Sequence, residues 1–576
     1  MYISITGKRN NVYILNSYRK DNGKTSSKIY RKLGTLDELI EEFGDKEKAL
    51  AWAKSEAEKE TEEYNKQHEE VTVSFSQMAR INRNEEKSFN VGYLFLQKLC
   101  TELRLDNICR KIKSRHNFKF NLESILTDLI YARMLCPSSK LSSYKYCSSL
   151  LEPPKYTLEN IYRALSVLAE ESDFIQSELY KNSNYVHPRN DKILYYDCTN
   201  YYFEIEQADG DKQYGKSKEH RPNPIVTMGL FMDADGMPLA FDIFPGNKNE
   251  QTTLKPLESK IIKEFELSKF IFCSDAGLGS KSNRLFNSIG DKSYVITHSL
   301  KKLKEEDQKC ALDPKYFKRP GSDKYVDISK IDETDEINFD TVFYKEMPLI
   351  SGDMDETLIV TYSPKYKAYQ RTIRARQIER AEKMLDKKSR KSRNTNDPAR
   401  FIRKTSVTDD GEIAEKTINE IDYDRIREEE RFDGFYAVVT NLEGDINEII
   451  RINKQRWEIE ESFRIMKTDF EARPVYLHRD DRIKAHFLTC YISLLVYRLL
   501  EKRLNSKYTC EEILKTLRGM QITKLPKDNG YVPSYMRTDI TDYLHEAFGF
   551  HTDYEILTKS TVRSIIKETK TLEKKK

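Results

Sequence analysis

The chain has 576 residues, 33% charged and 38% hydrophobic, 35 Tyr against 2 Trp, and a formal net charge of +4. That length accommodates three or four domains, or one large domain with insertions, and supplies ample apolar material for a core. The small net charge excludes a globally basic nucleic-acid-binding chain, so any basic surface must be local. The nine cysteines stand singly, without a C-x-x-C pair or a His at zinc-ligand spacing. This argues against a structural zinc site and suits a reducing cytosol. The N-terminus, MYISITGKRN, lacks an apolar leader, and the most apolar run, Ile483 to Leu500, carries Lys484, His486 and Arg498. A cytoplasmic protein with no membrane role is expected.

Residues 1–89 read as a small, basic strand-and-helix module. Met1–Thr6 and Asn11–Tyr18 are β-prone, D-N-G-K at Asp21–Lys24 is a turn, and Thr35 with Glu38 forms a capping box ahead of a charged helical stretch from about Lys46 to Gln67. DNA binding and a plain stabilising appendage fit this module equally. Residues 90–186 read as an α-helical domain, with helices at Val91–Leu103, Asn121–Leu135 and Thr157–Lys181 and a break at P-S-S-K, Pro137–Lys140.

The pattern changes in the segment 187–300. Lys192–Glu206 is rich in β-formers, yet carries Asp197 in its middle. A carboxylate there is costly without a partner, and either a buried hydrogen-bond network or a metal ion would supply one. A basic loop follows, Y-G-K-S-K-E-H-R, offering Lys216, Lys218 and Arg221. Strands at Pro224–Met232 and Met237–Phe244 then flank the hairpin turn D-A-D-G, Asp233–Gly236. A helix at Thr252–Phe265, a short buried strand K-F-I-F-C-S-D ending at Asp275, another helix and a fifth strand at Ser293–His298 complete the segment. This order predicts an α/β fold with an RNase H-like core, a mixed five-stranded sheet with helices that gathers distant carboxylates at one edge.

Residues 301–449 read as an insertion, β-rich with a basic helix that opens at Ser363–Pro364 and carries Arg371, Arg374, Arg376 and Arg380. It leads to K-K-S-R-K-S-R, whose Lys387, Lys388, Arg390, Lys391 and Arg393 form the densest positive run in the chain. Such a run is either a solvated linker or a contact to a phosphate backbone.

The core resumes in 450–508 with Arg451–Lys467, which reads as one helix free of Pro and Gly. At about 100° per residue, a spacing of seven brings Asn453, Glu460 and Lys467 onto one stripe with Arg456 about 40° away. Glu458 and Glu461 point elsewhere, and a solvated charged helix is the alternative reading. Asp480–Leu504 is apolar on nearly all sides and is expected in the core, and 509–576 is a helical tail.

Asp197, Asp275 and Glu460 have a chemical reason to converge. Phosphodiester chemistry needs an attacking oxygen activated and a leaving oxygen stabilised, and two Mg²⁺ ions roughly 3.5–4 Å apart do both. Hard cations of this kind prefer carboxylate oxygens, and Mn²⁺ is a natural substitute. Asp197 would bridge the ions, with Asp275 on one and Glu460 on the other.

These residues and blocks resemble the DDE transposases of the IS4 superfamily, most closely the IS1634 branch. The family's third-acid signature is Tyr, two residues, Arg, three residues, Glu, six residues, Lys; Arg456, Glu460 and Lys467 stand at its spacings, and Asn453 stands at its Tyr position. Y-G-K-S-K-E-H-R-P-N-P-I-V-T-M-G-L with F-P-G-N-K-N-E, Phe244–Glu250, resembles that branch's first-acid block, and F-C-S-D-A-G-L-G-S its second. The resemblance spans about 190–505. It implies an insertion-sequence transposase that cleaves DNA at its element's terminal inverted repeats and transfers the ends into target DNA. It also implies Mg²⁺ at Asp197, Asp275 and Glu460, phosphate clamps at Arg456 and Lys467, a homodimer in the synaptic complex, and a place at the nucleoid of a prokaryotic cytosol. An RNase H-like nuclease without strand transfer and an inactive DNA-binding derivative are the alternatives.

Overall fold

Alternation of buried and exposed residues sets the N-terminal strands. The computed structural model describes residues 1–7, 10–19, 25–68, 72–78, 80–351, 354–385, 396–407, 413–526 and 529–572, which divide into two compact units. The first comprises Met1–Glu85 with Leu525–Gly530. In it, β1 (Tyr2–Thr6), β2 (Asn11–Arg19) and β3 (Thr25–Thr35) pair antiparallel, so β3 adds a strand to the two read from sequence. The capping box forms as expected, the Glu38 amide donating to Thr35 Oγ1 and the Thr35 amide to Glu38 Oε2 at 2.8 Å. It starts α1 (Leu36–Phe43), which with α2 (Lys46–His68) packs Leu36, Leu39, Ala49 and Ala53 around Val12 on one face of the sheet.

The second unit comprises Glu86–Lys524 and Tyr531–Lys576. Its first strand is β4 (Ser88–Asn90), and its helices are α3 (Tyr93–Glu102), α4 (Leu105–Arg115), α5 (Leu122–Leu135), α6 (Lys140–Cys147), α7 (Leu158–Glu170) and α8 (Ser172–Val186). Asn121 caps α5 and Thr157 caps α7, as their positions predict. The long helix expected over Thr157–Lys181 is two helices, parted at Glu171, whose carboxylate is held by Arg115 (3.1 Å) and His116 (2.8 Å).

The next strands are β5 (Ile193–Tyr202), β6 (Ile225–Asp233) and β7 (Pro238–Pro245), then β8 (Ile271–Ser274) after α9 (Leu254–Glu264), and β9 (Ser293–His298) after α10 (Lys281–Phe286). Their order is β9-β8-β5-β6-β7, with β5, β6 and β7 antiparallel and β8 and β9 parallel to β5, the topology of an RNase H-like core. The hairpin turn closes because Asp233 Oδ1 accepts from the amides of Asp235 and Met237, and Gly236 supplies a φ of +75°. The Asp233 carboxylate also pairs with Arg189 inside the protein, so its role is structural.

Most strands of the inserted segment extend the core sheet, and one hairpin pairs as a two-stranded sheet of its own. It contributes α11 (Glu305–Leu312), β10 (Phe317–Lys318), β11 (Tyr325–Val326), α12 (Glu336–Asp340), β12 (Phe343–Ser351), β13 (Met354–Tyr362), α13 (Pro364–Glu382), the β14 (Ile402–Val407) and β15 (Ile413–Ile421) hairpin, α14 (Tyr423–Glu430) and β16 (Phe435–Thr440). β16 pairs with β9, and β13, β12, β10 and β11 follow, so the expected five-stranded sheet has ten strands. The physical reason lies in β9, whose apolar run Tyr294, Val295 and Ile296 would otherwise be an open edge inviting foreign strands.

The remaining elements are α15 (Ile446–Gln455), α16 (Trp457–Thr468), α17 (Asp480–Arg503), α18 (Cys510–Gly519), β17 (Gln521–Lys524), β18 (Tyr531–Pro533), α19 (Asp539–Phe548) and α20 (Lys559–Thr569). Successive side chains of β5 enter opposite cores: Tyr195 joins the helices α15 to α17, while Leu194 and Tyr196 join α9. Among the described helices α17 is long and apolar enough to cross a bilayer by length and composition, and it lies buried as the central core helix.

Candidate active site

Two strands bring the first two acids together. β5 and β8 run parallel, with Tyr195 opposite Cys273 as the last registered pair. Two residues further along in the same register stand Asp197, on β5, and Asp275, just past the end of β8. Neighbouring strands lie about 4.8 Å apart, and pleat parity puts both acids on the face of Tyr195 and Cys273. α15 and α16 cover that face, where the Tyr195 hydroxyl donates to the Ile452 carbonyl at 3.0 Å. Because β8 stops at Ser274, Asp197 pairs with Leu230 of β6 on one side and borders a gap in the sheet on the other. Its Oδ1 accepts from the Cys198 amide at 2.7 Å, and Asp275 Oδ1 accepts from the Leu278 amide at 3.1 Å. Burial pushes the Asp197 carboxyl up to about 6, with Asp275 adding to the rise and Lys218 and Arg456 opposing it.

The third acid arrives on a broken helix. Arg451–Lys467 is not continuous: α15 ends at Gln455, Arg456 is a turn, and α16 begins at Trp457. Each half buries its own apolar residues, Ile449 and Ile452 over β9, and Ile459, Phe463 and Met466 over β5. A twisted sheet carries no straight helix across both places. The break removes the shared stripe for Asn453, which belongs to the first helix. Glu460 and Lys467 stay on the second.

Arg456, at the bend, pairs with Glu460 at 3.0 Å. Burial opposes its charge, but Glu460, Tyr436, Asp197 and Asp275 together hold the guanidinium above its ordinary value. All three acids therefore lie within electrostatic reach of one cation. Glu461 is engaged instead by Arg464 (2.8 Å), and Glu458 faces Arg498. Lys467 sits over the Tyr201 ring and 3.4 Å from Glu219, which also pairs with Arg473. Burial and the neighbouring Lys218 push the Lys467 ammonium down to about 8, against the pull of Asp197.

The basic loop closes the other side. Lys218 Nζ donates to the Cys198 carbonyl and lies 3.6 Å from Glu250. Burial alone would lower its ammonium, but Asp197 and Glu250 outweigh that and hold it above its usual value. Arg221 stacks over Tyr202 at 4.2 Å, with Arg473 at 5.3 Å from the same ring, and Lys216 is exposed. Lys387, Lys388, Arg390, Lys391 and Arg393 lie outside the described residues. On the helix before them, Arg374 is buried in a two-pronged pair with Asp433 and is a structural residue.

A groove of about 780 Å³ opens beside Glu460, lined by Tyr366, Tyr369, Tyr436, Asn453, Arg456 and Trp457 among others. Tyr369 and Trp457 are well exposed, 61% and 58%, and with Tyr366 they line the same groove. Sequence reasoning passed over this aromatic wall. The signal was Tyr366 and Tyr369 at i, i+3 on a basic helix and Trp457 between Arg456 and Glu460. Asn453 is nine-tenths buried: its amide donates to the Tyr436 hydroxyl (3.1 Å) and its carbonyl accepts from Thr297 (3.2 Å). Its side chain thus holds Tyr436 at the groove, which both residues line.

The donor set suits hard divalent cations. It is all carboxylate, it includes a half-buried acid at a sheet gap, and Asp197 carries a single protein hydrogen bond. Among the described residues, the group of His, Cys, Asp or Glu side chains drawn within 4.8 Å of one another is His545, His551 and Asp553, not the three acids. Glu460, paired with Arg456 at 3.0 Å, would have to leave it to share an ion with Asp197 or Asp275.

Comparison with known proteins supplies the family. The model described as "Transposase DDE domain" matches residues 201–496, a stretch that holds Asp275 and Glu460 and begins four residues past Asp197. No curated protein matches the chain. Among solved structures it is similar to the piggyBac transposase synaptic complex with hairpin DNA, at 9% identity and a TM-score of 0.35, over 87% of this chain and 88% of that one. The family match covers more than half of the 576 residues, and the protein belongs to the transposases with a DDE domain.

Proposed function

We propose that this protein is the transposase of an insertion sequence, cutting DNA at the ends of its own element and joining the freed 3′ ends to target DNA. Asp197, Asp275 and Glu460 are assigned as the metal-binding carboxylates. The observation that carries the reading is the registered placement of Asp197 and Asp275 beneath the bend where Arg456 holds Glu460. Divalent ions bound there, Mg²⁺ or Mn²⁺, would activate the attacking oxygen and stabilise the leaving one.

The chain's own residues do the rest. Arg456 offsets the mutual repulsion of the acids in the free protein, and on release from Glu460 its guanidinium is free to pair with a phosphate. Lys467 and Lys218 face the same opening from opposite sides, so a phosphate between them restores full charge to Lys467. The groove along Tyr366, Tyr369 and Trp457, with Lys365 and Lys454 at its rim, suits a DNA strand that stacks bases and neutralises phosphates. Two ends must be joined in one reaction, so a homodimer on terminal inverted repeats is the working form.

The test is an assay of purified protein on the DNA that flanks its gene, with and without Mg²⁺. Metal ligation worth several kcal/mol corresponds to roughly 10³-fold in rate. Asp197→Ala, Asp275→Ala and Glu460→Gln are each expected to lose cleavage by that factor while retaining DNA binding. Glu461→Gln should cleave normally, since Arg464 already occupies that carboxylate; cleavage surviving in Glu460→Gln and lost in Glu461→Gln would sink the assignment. Cleaved ends that never join a target plasmid would replace transposition with simple nuclease action.

A further inference from the structure

We infer that His545, His551 and Asp553 form a binding site for a transition-metal ion of the zinc type, apart from the catalytic carboxylates and independent of the reading built on them. The site begins with a helix end. α19 stops at Phe548, and Gly549, at a φ of +76°, turns the chain back so that His551 and Asp553 lie beside His545. The Gly549 amide donates to the His545 carbonyl at 2.8 Å, which fixes the return. The His545 ring packs on Phe95 of α3, centroids 5.6 Å apart, and Phe95 also packs on Phe548 and Phe550.

The ligand atoms converge, each residue offering one within 4.8 Å of the others. His551 Nδ1 is 3.1 Å from Asp553 Oδ1, and His545 Nδ1 is 3.6 Å from Oδ2 of the same carboxylate. Tetrahedral ligands at zinc bond lengths of roughly 2.0–2.2 Å stand about 3.3–3.6 Å apart, so these separations are close to a coordination edge. A hydrogen bond explains His551 but not His545. That residue is wholly buried, and its Nδ1 has no hydrogen-bond partner and faces Asp553 from too far away to make one. An ion between them satisfies the orphaned nitrogen. Burial, reinforced by His551 and opposed by Asp553, disfavours the charged ring, and a neutral imidazole is the form that binds metal.

The far side of the ring is prepared for this exchange. Nε2 accepts from the Thr552 amide at 3.2 Å and lies 3.0 Å from the Thr552 hydroxyl, itself 2.9 Å from the Tyr535 hydroxyl. When the ion takes Nδ1, the ring proton moves to Nε2, Thr552 Oγ1 accepts it, and Thr552 donates its own hydrogen to Tyr535. Arg537, 3.8 Å from Asp553, is bonded to Asp542 at 2.6 Å and does not fill the site. Two imidazoles, one carboxylate and a position for water select a zinc-like ion over the hard cations suited to an all-carboxylate set. His545 and His551 are five residues apart, a spacing that zinc sites use, and this corrects the sequence expectation, which was keyed to a cysteine pair.

The experiment uses the full-length protein, stripped with a chelator and returned to buffer, with Zn²⁺ and Co²⁺ as probes. Wild type is expected to hold one Zn²⁺ per chain through dialysis, to gain several degrees in thermal midpoint from it, and to show with Co²⁺ the visible bands of a tetrahedral, nitrogen-ligated ion. His551→Ala removes a ligand whose side chain is 43% exposed, so the fold survives; it should weaken Zn²⁺ binding about 100-fold and abolish the bands. Asp197→Ala with Glu460→Gln strips the catalytic carboxylates and should leave the Zn²⁺, the midpoint gain and the bands in place. Zinc held equally by wild type and His551→Ala, a midpoint that Zn²⁺ does not move, or bands lost in the carboxylate variant would overturn the inference. DNA cleavage in Mg²⁺ is scored separately and bears on the catalytic reading alone.

Discussion

Asn453 stands where the family signature has Tyr, and the structure shows what takes up the space. Thr297, Tyr436 and Asn453 form a closed triangle, with Thr297 Oγ1 2.6 Å from the Tyr436 hydroxyl. The ring is self-consistent when Tyr436 donates to Thr297, Thr297 to Asn453 and Asn453 back to Tyr436. A phenol from β16, two residues into the returning strand, therefore lines the groove beside Arg456. Removing the hydroxyl leaves two partners short of a bond in a half-buried place, worth about 1–2 kcal/mol. Tyr436→Phe should lower single-turnover cleavage roughly tenfold, beyond what its urea unfolding curve accounts for; an unfolding shift with an unchanged rate would make the phenol purely structural.

At the scale of elements, a helix can hold a buried acid as the sheet gap does. Asp128 on α5 is 7% exposed and accepts from the Tyr156 hydroxyl at 2.7 Å. Burial, reinforced by Glu152, pushes its carboxyl up to about 7 from an ordinary 3.8. The folded state then keeps a proton that the unfolded chain releases. This contribution to stability is full below about pH 4 and is lost as pH rises toward 7, amounting to at most about 4 kcal/mol. Asp128→Asn keeps an oxygen for Tyr156 and never ionises. The difference in unfolding free energy between variant and wild type should therefore grow in the variant's favour from pH 4 to pH 7 and level off above; a flat difference would show that Asp128 ionises freely in the folded protein. The broken Glu helix belongs to the same scale. Its apolar spacing announced a helix, but the bend at Arg456 follows from packing two halves on two parts of one twisted sheet.

Across the whole molecule, charge is distributed rather than abundant. A net +4 conceals a basic strand segment, an acidic helical one and the run Lys387 to Arg393. Neutralising Lys387, Lys388, Arg390, Lys391 and Arg393 together is expected to flatten the plot of log binding constant against log salt, by about 0.9 for each phosphate that is no longer neutralised. An unchanged slope would make that run a linker. The sheet is likewise a property of the whole: ten strands join because the insertion leaves from β9 and returns to pair with it as β16.

What the sequence determined by itself was local and chemical. Alternation placed the strands, the D-A-D-G turn fixed the hairpin, and Asp197 and Asp275 stood out because carboxylates are costly at the middle or end of apolar strands. Helical spacing separated Glu460 from Glu458 and Glu461, and their partners in the structure keep that separation. Tertiary structure decided what depends on contacts between distant segments. The extension of the sheet, the bend at Arg456, the burial of Asn453 and the groove lined by Tyr366, Tyr369, Tyr436 and Trp457 each involve residues far apart in the chain, and no period or spacing within one segment encodes them. Register did the remaining work: only the parallel pairing of β5 with β8 puts Asp197 level with Asp275.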